Sequence, residues 1–278
     1  MAYGVSKEIL AAFDRLPPLS DSVSALLPIV SKDTHTARDV IDILERDPML
    51  AARILKVANS AAYARRVPAE TVMAAASYLG DMTVVGLALR VSNAKTYEAP
   101  LEGYAAVRGA LWEHSLKTAI AARMLAFKAK TYLSPGIAYT AGLMHDIGKV
   151  VLSAFLKGSP AMTGDFLALE RETTKTDHAE VGAALAEKWK LPLSIRSAIA
   201  WHHEPEKAEE STRSLVFAVH LADTVAMLGG AGTGGDSMAY RLDEGYVRYF
   251  DVTRKDMIKV IAQMDIEFEK INEALKGA

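Results

Sequence analysis

Five of the seven histidines in this chain, together with two aspartates, have the chemistry of a metal centre if folding gathers them: His114, His145, Asp146, His178, His202, His203 and Asp223. Neutral imidazole nitrogens and ionised carboxylate oxygens together suit a divalent cation, iron or manganese foremost, with zinc, cobalt or nickel compatible. His145 and Asp146 are adjacent, so on a regular helix their side chains leave about 100° apart. Both can still reach an ion seated against that edge. Through its two oxygens Asp146 could serve two ions. With His114, His145 and Asp223 it completes a set for one cation, and His178, His202 and His203 can hold a second beside it.

Every member also has a plainer reading. A lone helical histidine is commonly a hydrogen-bonded core or surface group, which is the reading for His35 and His220. His202 and His203 close a helical stretch, where they could complement the helix dipole. Asp223 lies among Val216, Val219 and Val225, where an unpaired carboxylate costs on the order of several kcal/mol. It needs a cation or strong donors; a metal is one such cation, and an arginine or lysine is the plainer alternative. Lys149, one turn beyond His145, could neutralise a phosphate oxygen, with Asp146 as its catalytic companion; the alternative is an exposed helix lysine.

The elements that would position these residues are helical nearly throughout. Thr36 with Asp39 forms a capping signal ahead of Val40, Ile41 and Leu44. Asp47-Pro48 starts a helix with apolar residues at Ala51, Ile54, Leu55 and Ala58. Pro68 opens a helix that Gly80 closes, and Asp81 caps the next, through Leu89. Residues 93–103 break the periodicity, with Pro100 and Gly103, and mark a boundary. Beyond it a long helix is expected near 104–128 carrying His114, and another over roughly 135–157 carrying the His145-Asp146 pair. Asp177 and Glu180 cap a helix with Val181, Leu185 and Trp189 on one side. The helix after Pro192 runs to His202 and His203 and stops before Pro205. A further helix near 212–228 holds Asp223. The glycine-rich tract 229–235 lacks both the strand and the Lys-Ser/Thr of a phosphate loop, and reads as a mobile loop. Thr253 with Asp256 caps a final amphipathic helix through Met257, Ile261, Met264, Phe268 and Ile271.

Composition narrows the function classes. The 278 residues carry a formal charge of only −2, so no overall field favours nucleic acid or an anionic membrane. Cysteine is absent, which excludes disulfides, thiolate metal sites and cysteine nucleophiles and fits a reducing compartment. The most apolar stretch, 136–155, contains His145, Asp146 and Lys149 at its middle, against a membrane span. The first ten residues lack the features of a signal peptide. A cytoplasmic protein that binds neither membrane nor nucleic acid is expected, with oligomeric state open. The helices near 68–79 and 82–92 offer only Arg90 as a positive side chain towards a nucleic acid.

The motif His145-Asp146-Ile147-Gly148-Lys149, with His114 before it and Asp223 after it in Val219-His220-Leu221-Ala222-Asp223, resembles the HD superfamily of metal-dependent phosphohydrolases. Leu16-Pro17-Pro18-Leu19, Asp47-Pro48, the run Leu55 to Tyr63, Asp177-His178-Ala179-Glu180-Val181-Gly182 and His202-His203-Glu204-Pro205 narrow the resemblance to the HDOD family, over about residues 13–228. The resemblance implies an all-α fold: an N-terminal helical bundle over 13–95, an HD-type helical core over 104–228 and an accessory C-terminal segment over 239–278. It also implies a bacterial signalling or regulatory role. Many members have lost HD ligands, whereas this sequence keeps the set. The related HD-GYP phosphodiesterases, which cleave cyclic di-GMP, use a similar histidine series for two or more metals. Here His203 is followed by Glu204-Pro205-Glu206-Lys207, without the glycine-tyrosine-proline signature. Two functions follow as expectations. One is a regulatory protein whose divalent, possibly binuclear, metal pocket answers to a signalling partner or phosphorylated small molecule. The other is a metal-dependent phosphohydrolase or phosphodiesterase acting on a nucleotide or cyclic dinucleotide.

Overall fold

The computed structural model describes residues 4–32, 34–63, 67–158, 166–235 and 240–276. Among them there are helices and no strand, so the all-α expectation holds. Two isolated bridges, Leu101 with Ala106 and Ala129 with Phe250, are the nearest approach to sheet pairing.

The N-terminal helices are α1 (Lys7–Ala12), α2 (Asp21–Val30), α3 (Ala37–Leu44), α4 (Pro48–Ala58), α5 (Val72–Leu79), α6 (Asp81–Ser92) and α7 (Ala94–Glu98). The Thr36–Asp39 capping box forms as read, and Asp47 caps α4 with Pro48 in its first turn. Pro68 does not open α5. Thr71 does, its hydroxyl accepting from the Ala74 N–H at 3.0 Å, because a threonine oxygen satisfies a free first-turn donor and a proline ring cannot.

The site helices are α8 (Ala110–Ala126), α9 (Pro135–Met144), α10 (Gly148–Leu152), α11 (Phe166–Thr174), α12 (His178–Lys188), α13 (Leu193–Trp201) and α14 (Glu210–Leu228). Helix α8 starts later than the spacing suggests. Ala105 and Gly109 take φ of 52° and 81°, outside the helical region, and residues 101–106 fold into a tight loop instead. The stretch 135–157 is two helices, not one. Between them the backbone bonds tighten to a three-residue span, Ile147 N to Met144 O at 3.1 Å and Lys149 N to Asp146 O at 3.0 Å, so His145 and Asp146 sit on a turn.

Helices α8 and α14 are buried on nearly every side and form the centre, with α9 and α13 packed against it and α12 held between α10 and α13. Close approach depends on glycine at one decisive point. A Cβ on Gly148 would overlap the His178 carbonyl oxygen and crowd Gly182, so only glycine lets α10 and α12 come together and bring His178 beside Asp146.

The last helix, α15 (Arg254–Lys276), begins with Thr253 and Asp256 bonded to each other as read, and lays Met264, Phe268, Ile271 and Ala274 into the core. Lys117 to Asp265 at 3.0 Å and Arg123 to Glu267 at 2.7 Å tie it to α8. Buried apolar residues from Val5 to Ala274 form one continuous cluster, which joins the N-terminal helices, the site helices and α15. Residue 239, where the expected accessory segment starts, and residues 277 and 278, where it ends, lie outside the described residues. No single described helix is long and apolar enough to cross a membrane; α5 with α6 has the length together, but bends by 110° at its break.

Candidate metal centre

All seven residues singled out in the sequence converge in one buried place. They fall into two groups whose ligand atoms lie within 4.8 Å of one another: Asp146, His178, His202 and His203, and His114, His145 and Asp223. Asp146 stands between them. Its Oδ2 is 3.3 Å from His114 Nε2 and 3.5 Å from His145 Nε2, while its Oδ1 is 3.3 Å from His178 Nε2 and 3.7 Å from His202 Nε2. Asp223 Oδ1 lies 3.1 Å from His114 Nε2 and 3.8 Å from His145 Nε2. Among the described residues the partner that faces Asp223 is therefore His114, and not an arginine or lysine.

Local structure aims these nitrogens. His145 and His202 each follow the last residue of a helix, α9 and α13, and donate Nδ1–H to the carbonyl three residues back, Gly142 O and Ile199 O, both at 2.8 Å. These carbonyls belong to a last helical turn, which leaves acceptors free. His114 Nδ1 donates to Ala231 O at 2.8 Å. A carbonyl can only accept, so each Nδ1 carries hydrogen and each neutral ring keeps its Nε2 lone pair facing inward. His178 is held differently: its Nδ1 donates to the buried Glu170 carboxylate at 2.8 Å.

This arrangement is unfavourable without positive charge at its centre. His114 and His145 Nε2 atoms are 3.1 Å apart, His178 and His203 Nε2 atoms 2.9 Å, and His178 and His202 Nε2 atoms 3.4 Å. Two lone pairs cannot bond each other, so a proton or a metal ion must lie between them. Both Asp146 oxygens are buried, and among the described residues neither makes a well-aligned hydrogen bond; the nearest positive charge is the Lys149 ammonium, 2.7 Å from Oδ2. The donor set fits a divalent cation on these grounds.

Protons on the ring nitrogens can supply part of that positive charge. Burial opposes charge on His114, but hydrogen bonds and charge from Asp146 and Asp223 outweigh it and push the ring up to about 10. Burial likewise opposes charge on His178, and Glu170 and Asp146 raise it to about 10. Burial lowers His145, and burial with neighbouring imidazoles drives His202 and His203 well below the usual range. His202 nonetheless serves the end of α13, through the bond of its Nδ1–H to Ile199 O. Burial would raise Asp223, yet the bond from His114 brings it down to about 2. Burial also works against the Asp146 carboxylate, but His145 and Lys149 hold it well below its ordinary value.

Lys149 is buried, not an exposed helix lysine. Its Nζ is 2.7 Å from Asp146 Oδ2 and donates to Thr233 Oγ1 at 2.8 Å, near the faces of Tyr104 and Tyr240. Tyr240 also lies against His203, ring centroids 3.9 Å apart. The remaining histidines are structural, as read. His220 donates to His202 O and accepts from Asp243 N, and His35 bonds Lys32 O.

Several supporting groups carry no sequence signal. Glu170 reads as one more surface acid in a charged helix, and Tyr104 and Tyr240 as ordinary aromatics. The described residues 229–235 form a loop without a preceding strand, but a working part of the site: Ala231 and Thr233 are buried against His114 and Lys149, and Gly235 N donates to Tyr104 O at 2.7 Å.

Comparison with known proteins agrees with this geometry. The family described as HDOD domain matches residues 16–205. An uncharacterised protein of Treponema pallidum (strain Nichols) is 23% identical over 271 residues, covering 93% of this chain and 50% of that protein. Ribonuclease Y of Thermus thermophilus is 35% identical over 106 residues, 38% of this chain and 15% of the enzyme. The chain thus spans at most about half the length of these relatives. Among solved structures, an HDOD domain protein of unknown function from Geobacter sulfurreducens superposes with a TM-score of 0.71 at 26% identity, covering 97% of this chain and 95% of that one. A candidate phosphohydrolase from Shewanella amazonensis SB2B shares the fold, with a TM-score of 0.64, 24% identity and coverage of 97% and 98%. With the family match running from the N-terminal helices through His114, His145, Asp146, His178, His202 and His203, this chain belongs to the HDOD family.

Proposed function

We propose that this HDOD protein is a bacterial signal-transduction or regulatory protein whose helical pocket holds divalent cations. His114, His145, Asp223 and Asp146 would hold one ion and Asp146, His178, His202 and His203 a second, with iron or manganese best suited to the mixed donors. The observation that carries this reading is the convergence of inward-facing Nε2 atoms 2.9–3.4 Å apart on a buried aspartate. Regulation would follow from what the ligands touch. His114 is bonded to the loop 229–235, and Lys149 joins Asp146 to the same loop through Thr233, so a change of charge in the pocket is felt by surrounding backbone. The pocket would sense a metal or a phosphorylated small-molecule ligand and pass the change to a signalling protein partner.

Metal-dependent phosphodiester or phosphomonoester hydrolysis is the second reading, favoured by the buried Lys149 ammonium beside Asp146 and by the local likeness to Ribonuclease Y. A bound divalent cation supplies Lewis acidity and, at neutral pH, hydroxide. Lys149 would turn its charge to a phosphate oxygen, and Asp146 would fix the centre that the oxygen approaches. The absence of glycine-tyrosine-proline after His203 sets it apart from the HD-GYP pattern.

Elemental analysis of protein purified from metal-replete cells without chelator tests the shared premise. One or two equivalents of metal per chain are expected, and none would overturn both readings. Turnover assays on nucleotides and cyclic dinucleotides with iron or manganese then separate them. Stoichiometric metal without turnover supports regulation, and turnover abolished by Asp146→Asn supports hydrolysis.

A further inference from the structure

Of the five candidate ligand histidines, His114, His145 and His202 lean on backbone carbonyls, and His178 leans on an acid. Glu170, on α11, is fully buried and receives three groups at once: the Tyr104 hydroxyl at 2.6 Å, the His178 backbone N–H at 2.8 Å and the His178 Nδ1–H at 2.8–2.9 Å. An ionised carboxylate buried without a lysine or arginine against it needs another source of compensation. Among the described residues that compensation comes from His178 and Tyr104. The same contacts fix His178 at both its backbone and its ring, so that Nε2 points to Asp146, His202 and His203.

We infer that Glu170 is the positioning residue of the second cation site, holding His178 in the Nδ1–H form and making its Nε2 the strongest imidazole donor in the pocket. A carboxylate behind an imidazole raises its basicity more than a neutral carbonyl does, because the partial positive charge that the ring acquires on binding a cation is stabilised by a full negative charge. The two halves of the centre are therefore unequal. His114 and His145 are backed by Ala231 O and Gly142 O, and His178 by Glu170. Tyr104 orients the acid from the loop 101–106, edge-on to the His178 ring. This inference rests on the metal-binding reading above and specifies how one half of it is built.

The test is a titration of metal-free protein with Mn2+ alone, followed calorimetrically, in the wild type and in Glu170→Gln, with His178→Ala and Asp223→Asn marking which equivalent belongs to which half. Glu170→Gln keeps shape and removes charge. It is expected to weaken by about 10- to 100-fold the equivalent lost in His178→Ala, and to leave within a few-fold the one lost in Asp223→Asn. Tyr104→Phe should weaken the same equivalent to a smaller degree, and provides the measurement if Glu170→Gln does not fold. A merely structural role would weaken both equivalents together with the thermal midpoint. Equal weakening of both, or unchanged affinity in the variants, overturns the inference and leaves the metal reading standing. Failure of the wild type to bind Mn2+ at all overturns both.

Discussion

At the scale of single residues the site is a contest between protons and a cation for the same lone pairs. His114 and His178 are both raised from 6.5 to about 10 by the carboxylates they face. Their contribution to the metal-free fold is full below pH 6.5 and is lost as the pH climbs through about 10. Metal binding must displace those protons, so its sign is opposite, with affinity rising across the same interval. Calorimetry with Mn2+ at pH 7.5 in buffers of different ionisation enthalpy should show net proton release, and a buffer-independent heat would contradict the two shifts. Lys149 offers a second check. Lys149→Met removes the ammonium 2.7 Å from Asp146 and leaves a buried charge, at an expected cost of about 3–5 kcal/mol in metal-free protein. Added Mn2+ should restore much of that loss in a thermal melt, since a cation near Asp146 replaces the missing charge. The seven candidate ligands were legible in the sequence because histidine is uncommon and chemically committed, and Asp223 stands among apolar neighbours. Glu170 was not, because its residue type is common on helix surfaces and only tertiary packing buries it.

At the scale of elements four helix starts with a side-chain cap were readable, while the Thr71 cap of α5 was missed in favour of Pro68. Thr36–Asp39, Asp47-Pro48, Asp177 and Thr253–Asp256 all mark real boundaries, since a capping oxygen meets its donor within three residues and needs no distant partner. The break at 145–147 was invisible, because its apolar periodicity runs unbroken across two helices and only the demands of the pocket turn the chain. The closeness of α10 and α12 has the same character. Gly148→Ala should push α12 away, costing about 1–3 kcal/mol and moving His178 from Asp146. Chemical denaturation and metal content should fall together; a variant with normal metal content would show that the helices tolerate separation. Asp256 tests a cap. Its carboxyl is held below 3.8 by bonds from Thr253 and Lys128, so its support of α15 is present above that pH and fades on acidification. The difference in thermal midpoint between wild type and Asp256→Asn should therefore shrink below about pH 4.

At the scale of the whole molecule the centre lies inside a single apolar cluster, so cation binding and global stability are linked. A cation present at 100 times its Kd should add roughly 2.7 kcal/mol per site, seen as a rise in Tm on adding Mn2+ and a fall on adding chelator. A Tm indifferent to both would place the cation, if any, outside this core. His145 and His202 add a last consequence. Each is at once a donor to the pocket and the residue that ties off the end of α9 or α13. A descendant of this chain could not discard such an imidazole for alanine at no cost, since a backbone oxygen would be stranded when the ring left. Drift away from metal chemistry would have to pass through asparagine or another short donor, leaving behind a recognisable molecular scar at those two positions.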